Sequence, residues 1–301
     1  MMDYRILGAL PFLLWLATAC RAPQTAGCTP PIDYAAQQER WRQARFDELL
    51  APRGWVALAG LYWLSPGDNS FGSDSAHAVV FPEGAPATLG VIRLGADGAL
   101  AMRFAPDAGV SVDGAPAHAW DWQPGQPAPL MEKDNWAWTF IERGGRYGLR
   151  LWDTALPTRI RMRPIPHYPD DAAWMVSARW EATTRPETLL VRNVLGMDVP
   201  TPVAGRLSFR IGGKDCRLTA LAEGPDKLFL IFADETTGEA TYPAGRYLYC
   251  PRPTDGGQVC IDFNQAFNPP CAFTEYATCL LPPAENYLSV PILAGEQALD
   301  H

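Results

Sequence analysis

From Trp55 onward the chain alternates apolar and polar positions in short runs, broken every few residues by glycine, proline or aspartate, and this pattern predicts short strands. Trp55 to Leu64 is apolar at both alternating positions, as a strand buried on two faces requires. Ser65-Pro66-Gly67-Asp68-Asn69 turns the chain after it. Short strands follow at Ala78 to Phe81, Gly90 to Arg93, Leu100 to Phe104 and Val110 to Val112. The clearest hairpin joins Trp136–Glu142 to Tyr147–Trp152 through Arg143-Gly144-Gly145-Arg146, with Trp136, Trp138 and Phe140 on one face as core residues. Leu156 to Asp171 holds four prolines and no periodicity, which marks a boundary. Beyond it, strands are predicted at Trp174–Glu181, Thr188–Val194, Arg206–Ile211, Arg217–Ala222 and Lys227–Ala233. Gly245–Tyr249 is expected to pair with Gln258–Phe263.

One stretch has helical spacing. Asp33 can cap a helix running to about Leu50, stopped by Pro52 and Gly54, with Tyr34, Trp41 and Leu49 on its docked side. The expected fold is mainly β, a sandwich or barrel-like, with one N-terminal α-helix. It forms one continuous domain or two packed β units, over residues 33–155 and 156–301. No Gly-rich loop joins a strand to a helix, which disfavours a nucleotide-binding α/β fold.

The N-terminus changes the picture. Arg5 precedes an apolar run from Ile6 to Ala17, too short to span a bilayer as a mature helix, so residues 1–19 read as a signal peptide. The run ends in Ala17-Thr18-Ala19-Cys20, which resembles the lipobox of bacterial lipoproteins. That resemblance implies lipidation at Cys20, a tether over 20–32, and an exported protein held at a membrane of the cell envelope or periplasm. A secretory signal cleaved nearby is the alternative. The net charge of −8, without a basic cluster, repels phosphate backbones and excludes nucleic acid as a partner. The four histidines are scattered, and neither a metal nor a cofactor is expected.

Export also makes disulfides the expected state for most of Cys28, Cys216, Cys250, Cys260, Cys271 and Cys279. In the predicted hairpin Cys250 and Cys260 lie symmetrically about Asp255, where a cross-strand disulfide is allowed. Cys271 and Cys279 can close a short proline-bounded loop, or form a thiol pair with redox chemistry centred on Cys271.

Candidate chemistry concentrates between Val259 and Glu296. Asp262 and Asn264 share a strand face and Asn268 follows, so a carboxylate and two amides can meet a polar ligand or calcium, or satisfy the loop's own backbone. Arg246, near Tyr242, can fork a carboxylate or phosphate, or pair internally with Asp262 or Glu296. Tyr276 and Asn286 complete the candidate ligand-binding set. Asp262 with Glu296 or Asp234 is the carboxylate pair a glycoside hydrolase would need. There is no Gly-x-Ser-x-Gly elbow, which sets a serine hydrolase aside.

Several motifs together resemble the family known as domain of unknown function 1684. They are R-W-R-Q-A-R at 40–45, the run at 55–64 with the following P-G-D-N-S-F-G-S-D, I-E-R-G-G-R-Y-G-L-R-L-W-D at 141–153, and F-A-D-E-T-T-G-E-A-T-Y-P-A-G-R at 232–246. The most specific runs from Asp262 to Leu288, closing with A-G-E at 294–296. Leu280 and Phe267 depart from the family pattern. The resemblance implies a mainly β fold and carries no established activity. The leading expectation is an envelope binding or structural module, with a small-molecule or glycan site built by the C-terminal motif and the turn at 234–246. A carboxylate-dependent hydrolase of envelope polymers and thiol–disulfide chemistry at Cys271 and Cys279 are the alternatives.

Overall fold

A computed structural model describes residues 28–253 and 257–299. The predicted signal peptide, Cys20 and Asp255 lie outside the described residues.

The chain is mainly β. Helix α1 (Tyr34–Leu49) comes first. Eleven strands follow in the first unit: β1 (Leu58–Trp63), β2 (Gly67–Gly72), β3 (Val79–Val80), β4 (Gly90–Leu94), β5 (Leu100–Phe104), β6 (Ser111–Val112), β7 (Ala115–Pro116), β8 (Ala119–Trp122), β9 (Met131–Lys133), β10 (Trp136–Arg143) and β11 (Arg146–Asp153). They make two sheets, of order β1-β11-β10-β9-β6-β7 and β3-β2-β4-β5-β8. Trp138, Phe71, Phe81, Leu149 and Leu151 are buried between them. Phe71 and Phe81 each meet the Trp138 ring edge-on, at 6.0 and 5.8 Å between centroids.

The stretch read as one strand over 55–64 begins instead as a helical turn at Trp55–Ala57, and the turn residues Gly67–Asn69 belong to β2. Asn69 explains the second difference: its amide nitrogen donates to the carbonyls of Ser65, Gly67 and Ile92, and its oxygen accepts from the Ser65 amide. A turn-forming side chain is thus folded into the first residues of a strand.

The second unit is one seven-stranded sheet. Its strands are β12 (Met175–Arg192), β13 (Asp198–Ile211), β14 (Lys214–Glu223), β15 (Lys227–Asp234), β16 (Arg246–Pro251), β17 (Gln258–Asp262) and β18 (Tyr287–Leu288). The order is β16-β15-β14-β13-β12-β17, with β18 parallel on β15. The sheet curls until its end strands approach, so that Leu248 of β16 and Ile261 of β17 enter one core with Leu218, Leu230 and Phe232. The two strands predicted at 174–181 and 188–194 are a single β12, with a register shift between Ala182 and Glu187 that takes up Pro186.

Two pairings differ from expectation. β17 pairs with β12, placing Cys260 opposite Ser177, while β16 pairs with β15, placing Cys250 opposite Leu228. Cys250 and Cys260 are therefore not cross-strand partners. Cys260 is bonded to Cys28, across a Cα separation of 5.6 Å, and Cys250 is a buried thiol. The hairpin reading failed because β16 finds a better partner upstream: every position of Leu228–Phe232 is apolar and matches β16 in register.

Along β15, Leu228, Leu230 and Phe232 face the curled core, while Phe229 and Ile231 face outward. Outward-facing Ile231 and Tyr247 are covered by Ala277 and Cys279 of the C-terminal motif, with Trp55 packed beside them. The strands with apolar residues on both faces are thus the ones that carry a second layer.

Candidate functional site

Five carboxylates and amides of the C-terminal motif, Asp262, Asn264, Asn268, Asn286 and Glu296, are consumed in holding it together. Asp262 accepts from Tyr34 Oη at 2.9 and 3.1 Å, from Gln38 Nε2 at 2.7 Å, and from the Asn264 backbone and side-chain amides at 3.1 and 2.9 Å. Asn264 also donates to Tyr34 Oη and clasps the Asp171 backbone, accepting from its N–H and donating to its carbonyl. Helix α1 thus docks on the second unit through a polar stripe. Its buried residues are Gln38, Arg45 and Leu49, with Tyr34 and Trp41 only half-buried. The disulfide from Cys28 to Cys260 anchors the same segment to the same sheet.

Arg246 and Asp234 form a pair wholly sealed from solvent, 2.8 Å apart. The other guanidinium bonds of Arg246 go to the carbonyls of Ile292, Ala294 and Glu296, so this side chain clamps the segment from Ile292 to Glu296. Asp234 in turn accepts from the backbone and hydroxyl of Thr236 and from the Ile292 amide. Arg246 therefore pairs with neither Asp262 nor Glu296 through their carboxylates. Burial pushes its pKa down, opposed by Asp234.

Glu296 is buried, accepts from the Asn268 amide at 2.7 Å and lies 3.5 Å from Arg45 Nε. Desolvation raises its pKa, against the pull of Arg45. Asn268 donates to the Gln297 carbonyl, and Asn286 brackets Thr219 and Ile231 with three backbone hydrogen bonds. Tyr242 Oη donates to the Cys271 carbonyl, and burial pushes its phenol pKa up. Tyr276 is half-buried near Tyr62 of the first unit, whose pKa is raised by burial first and by Tyr276 second. Gly295 holds the tail in place: its φ is +78°, and a Cβ there would meet the Ala266 carbonyl oxygen at 2.4 Å.

Cys271 and Cys279 are thiols in contact, the Cys271 amide donating to Cys279 Sγ at 3.0 Å. The hydrogen bond between the two side chains holds Cys271 below the usual thiol range and pushes Cys279 up. Among the described residues, no group of three or more His, Cys, Asp or Glu side chains is placed to hold a metal ion.

The open space lies elsewhere. A cleft of about 1640 Å³ separates the β10–β11 hairpin of the first unit from the outer face of β15 and β16, with α1 and the C-terminal motif as its other walls. Its floor is aromatic. Phe229 stacks on Tyr249 at 5.0 Å, Tyr249 stacks on Phe267 at 5.8 Å, and Tyr247 meets both phenylalanines edge-on. Trp41 lies 6.4 Å from Phe267, and the Arg45 guanidinium sits 4.6 Å over the same ring. On the opposite wall Arg150 reaches from β11 over Trp55, 5.2 Å from the ring centroid.

None of these cleft residues was in the sequence-derived site set, which favoured polar clusters. The available signal was periodicity. In β11, Leu149 and Leu151 enter the first core, so Arg150 must project to the far side of the sheet. In β16, Tyr247 and Tyr249 share the face opposite to Leu248.

The architecture defines a mainly β protein of two units, with an aromatic cleft between them and a C-terminal motif sealed by internal ion pairs. Over residues 161–297 the chain matches the family described as a protein of unknown function (DUF1684). It is 30% identical to the uncharacterized protein from gene locus rrnAC0354 of Haloarcula marismortui, solved by NMR. That match covers 46% of this chain and 80% of the other, with a TM-score of 0.40. The N-terminal FHA domain of Rad53p from S. cerevisiae, solved with a phosphothreonine peptide, is 11% identical over 35% of this chain and 77% of its own, with a TM-score of 0.16. No curated protein matches the chain.

Proposed function

We propose that the protein is an exported binding module of the cell envelope, tethered through a lipid on Cys20, and that the cleft between its two β units seats a small-molecule or glycan ligand. The observation that carries this reading is the cleft's floor. Phe229, Tyr249 and Phe267 stack side by side in an open volume of about 1640 Å³, with Tyr249 37% exposed. Partly exposed aromatic rings clustered in a concave site offer apolar surface to a ring or sugar. The disulfide between Cys28 and Cys260 supports an oxidising compartment. The carboxylates a hydrolase would use are engaged instead: Asp262 by Tyr34 and Gln38, Asp234 by Arg246, Glu296 by Arg45 and Asn268.

Fluorescence titration with the neutral probe N-phenyl-1-naphthylamine tests the reading. The wild-type protein is expected to bind saturably. Tyr249→Ala should weaken binding by about three- to tenfold, from the loss of one stacking face, while the protein unfolds at a similar temperature. Absence of saturable binding, or equal binding by the variant, overturns it.

A further inference from the structure

We propose that the cleft takes a small organic anion and that the Arg150 guanidinium receives its oxyanion; this rests on the cleft being the ligand seat. The inference starts from a contrast among the arginines. Arg45 is buried but meets Glu296 and the Asn268 carbonyl, and Arg246 is buried but meets Asp234 and three carbonyls. Arg150 is partly buried too, yet among the described residues its guanidinium has no hydrogen-bond acceptor and no carboxylate partner; its Nε is closed to solvent, as are those of Arg45 and Arg246, and its neighbours are the Trp55 ring and Cys279.

A guanidinium has five donors and no acceptor, and one left unpaired inside a protein costs more than it returns in packing. Burial pushes the pKa of Arg150 down to about 10, with Arg143 adding to the depression, so the group stays charged at neutral pH. Arg143 and Arg150 thus place two guanidinium groups on one wall of the cleft. Glu48, Glu142, Asp198, Glu223 and Asp226 also line the cleft, but among the described residues none of them forms an ion pair with Arg150; Asp198 is held by Arg192 at 2.9 Å.

The rest of the site defines the body of the ligand. Tyr249 and Phe267 offer partly exposed rings, and Trp55 backs the guanidinium, so a flat or ring-bearing molecule can pack there while its anionic group bonds Arg150. Carboxylate, sulfonate and phosphate share the paired-oxygen geometry that fits a guanidinium fork.

A matched pair of probes isolates the charge. N-phenyl-1-naphthylamine and 8-anilinonaphthalene-1-sulfonate share a ring body, and only the second carries an anion. The wild-type protein is expected to bind the sulfonate at least about tenfold more tightly, the effect of one charge-assisted hydrogen bond at a desolvated site. Arg150→Gln should remove that preference while leaving the neutral probe's affinity within about twofold, and Arg150→Lys should restore part of it. Equal wild-type affinities for the two probes, or a preference that survives Arg150→Gln, overturns the anion site while leaving the aromatic seat standing. Neutral-probe binding that Tyr249→Ala leaves unchanged, with a sulfonate preference that Arg150→Gln removes, overturns the aromatic seat and leaves the charge reading standing. If wild-type protein binds neither probe, both fail.

Discussion

At the scale of single residues, the chain places its unusual side chains where they hold the last turn rather than where they meet solvent. Arg246 is the plainest case. Its position next to Gly245 at a strand start suggested a clamp for an anionic ligand, and it is a clamp, but for the carbonyls of Ile292, Ala294 and Glu296. Asp234 balances its charge at zero solvent exposure. Replacing Asp234 with Asn keeps the shape and leaves the guanidinium uncompensated, so Asp234→Asn is expected to lower the unfolding free energy by about 3–5 kcal/mol in urea titrations. A loss below about 1 kcal/mol would show that the pair is dispensable. The type of each residue was legible in the sequence, but its partner was not. Arginine fits a ligand carboxylate and an internal one equally well, and which it meets depends on contacts far apart along the chain.

At the scale of elements, alternation located most strands but not their partners. Leu100–Phe104 and the Trp136–Asp153 hairpin fall where periodicity puts them, because each pairs locally. β16 and β17 do not, because their partners are β15 and β12 and a sequence pattern carries no register between distant strands. Helix α1 was legible as a helix with Tyr34, Trp41 and Leu49 on its docked side, but the buried polar residues Gln38 and Arg45 on that side were not. The contact works because Asp262 gathers Tyr34 and Gln38 on one carboxylate. Asp262→Ala should therefore loosen α1 without unfolding the sheets, raising amide hydrogen exchange in residues 34–49 by the equivalent of about 1.5–3 kcal/mol. Unchanged exchange there would mean that Leu49 and the disulfide suffice to hold the helix.

At the scale of the whole molecule, the functional reading rests on an arrangement no single element contains. The cleft needs the first unit's Arg150 and Trp55, the second unit's Phe229, Tyr247 and Tyr249, and Phe267 from the motif that follows them. Its residues are scattered from Trp55 to Phe267, more than two hundred positions of the chain, which is why the C-terminal motif stood out as a site in the sequence and the aromatic floor did not. The motif still has a part in it, since Phe267 and Cys279 form one wall while Asp262, Asn268 and Glu296 hold that wall in place. The most direct test is to record amide NMR shifts of the protein during titration with 8-anilinonaphthalene-1-sulfonate. The account predicts saturable shifts at Arg150, Tyr247, Tyr249 and Phe267, with Phe71 and Trp138 in the first core unmoved. Shifts confined to the smaller groove between α1 and residues 164–167, or scattered without saturation, would contradict it.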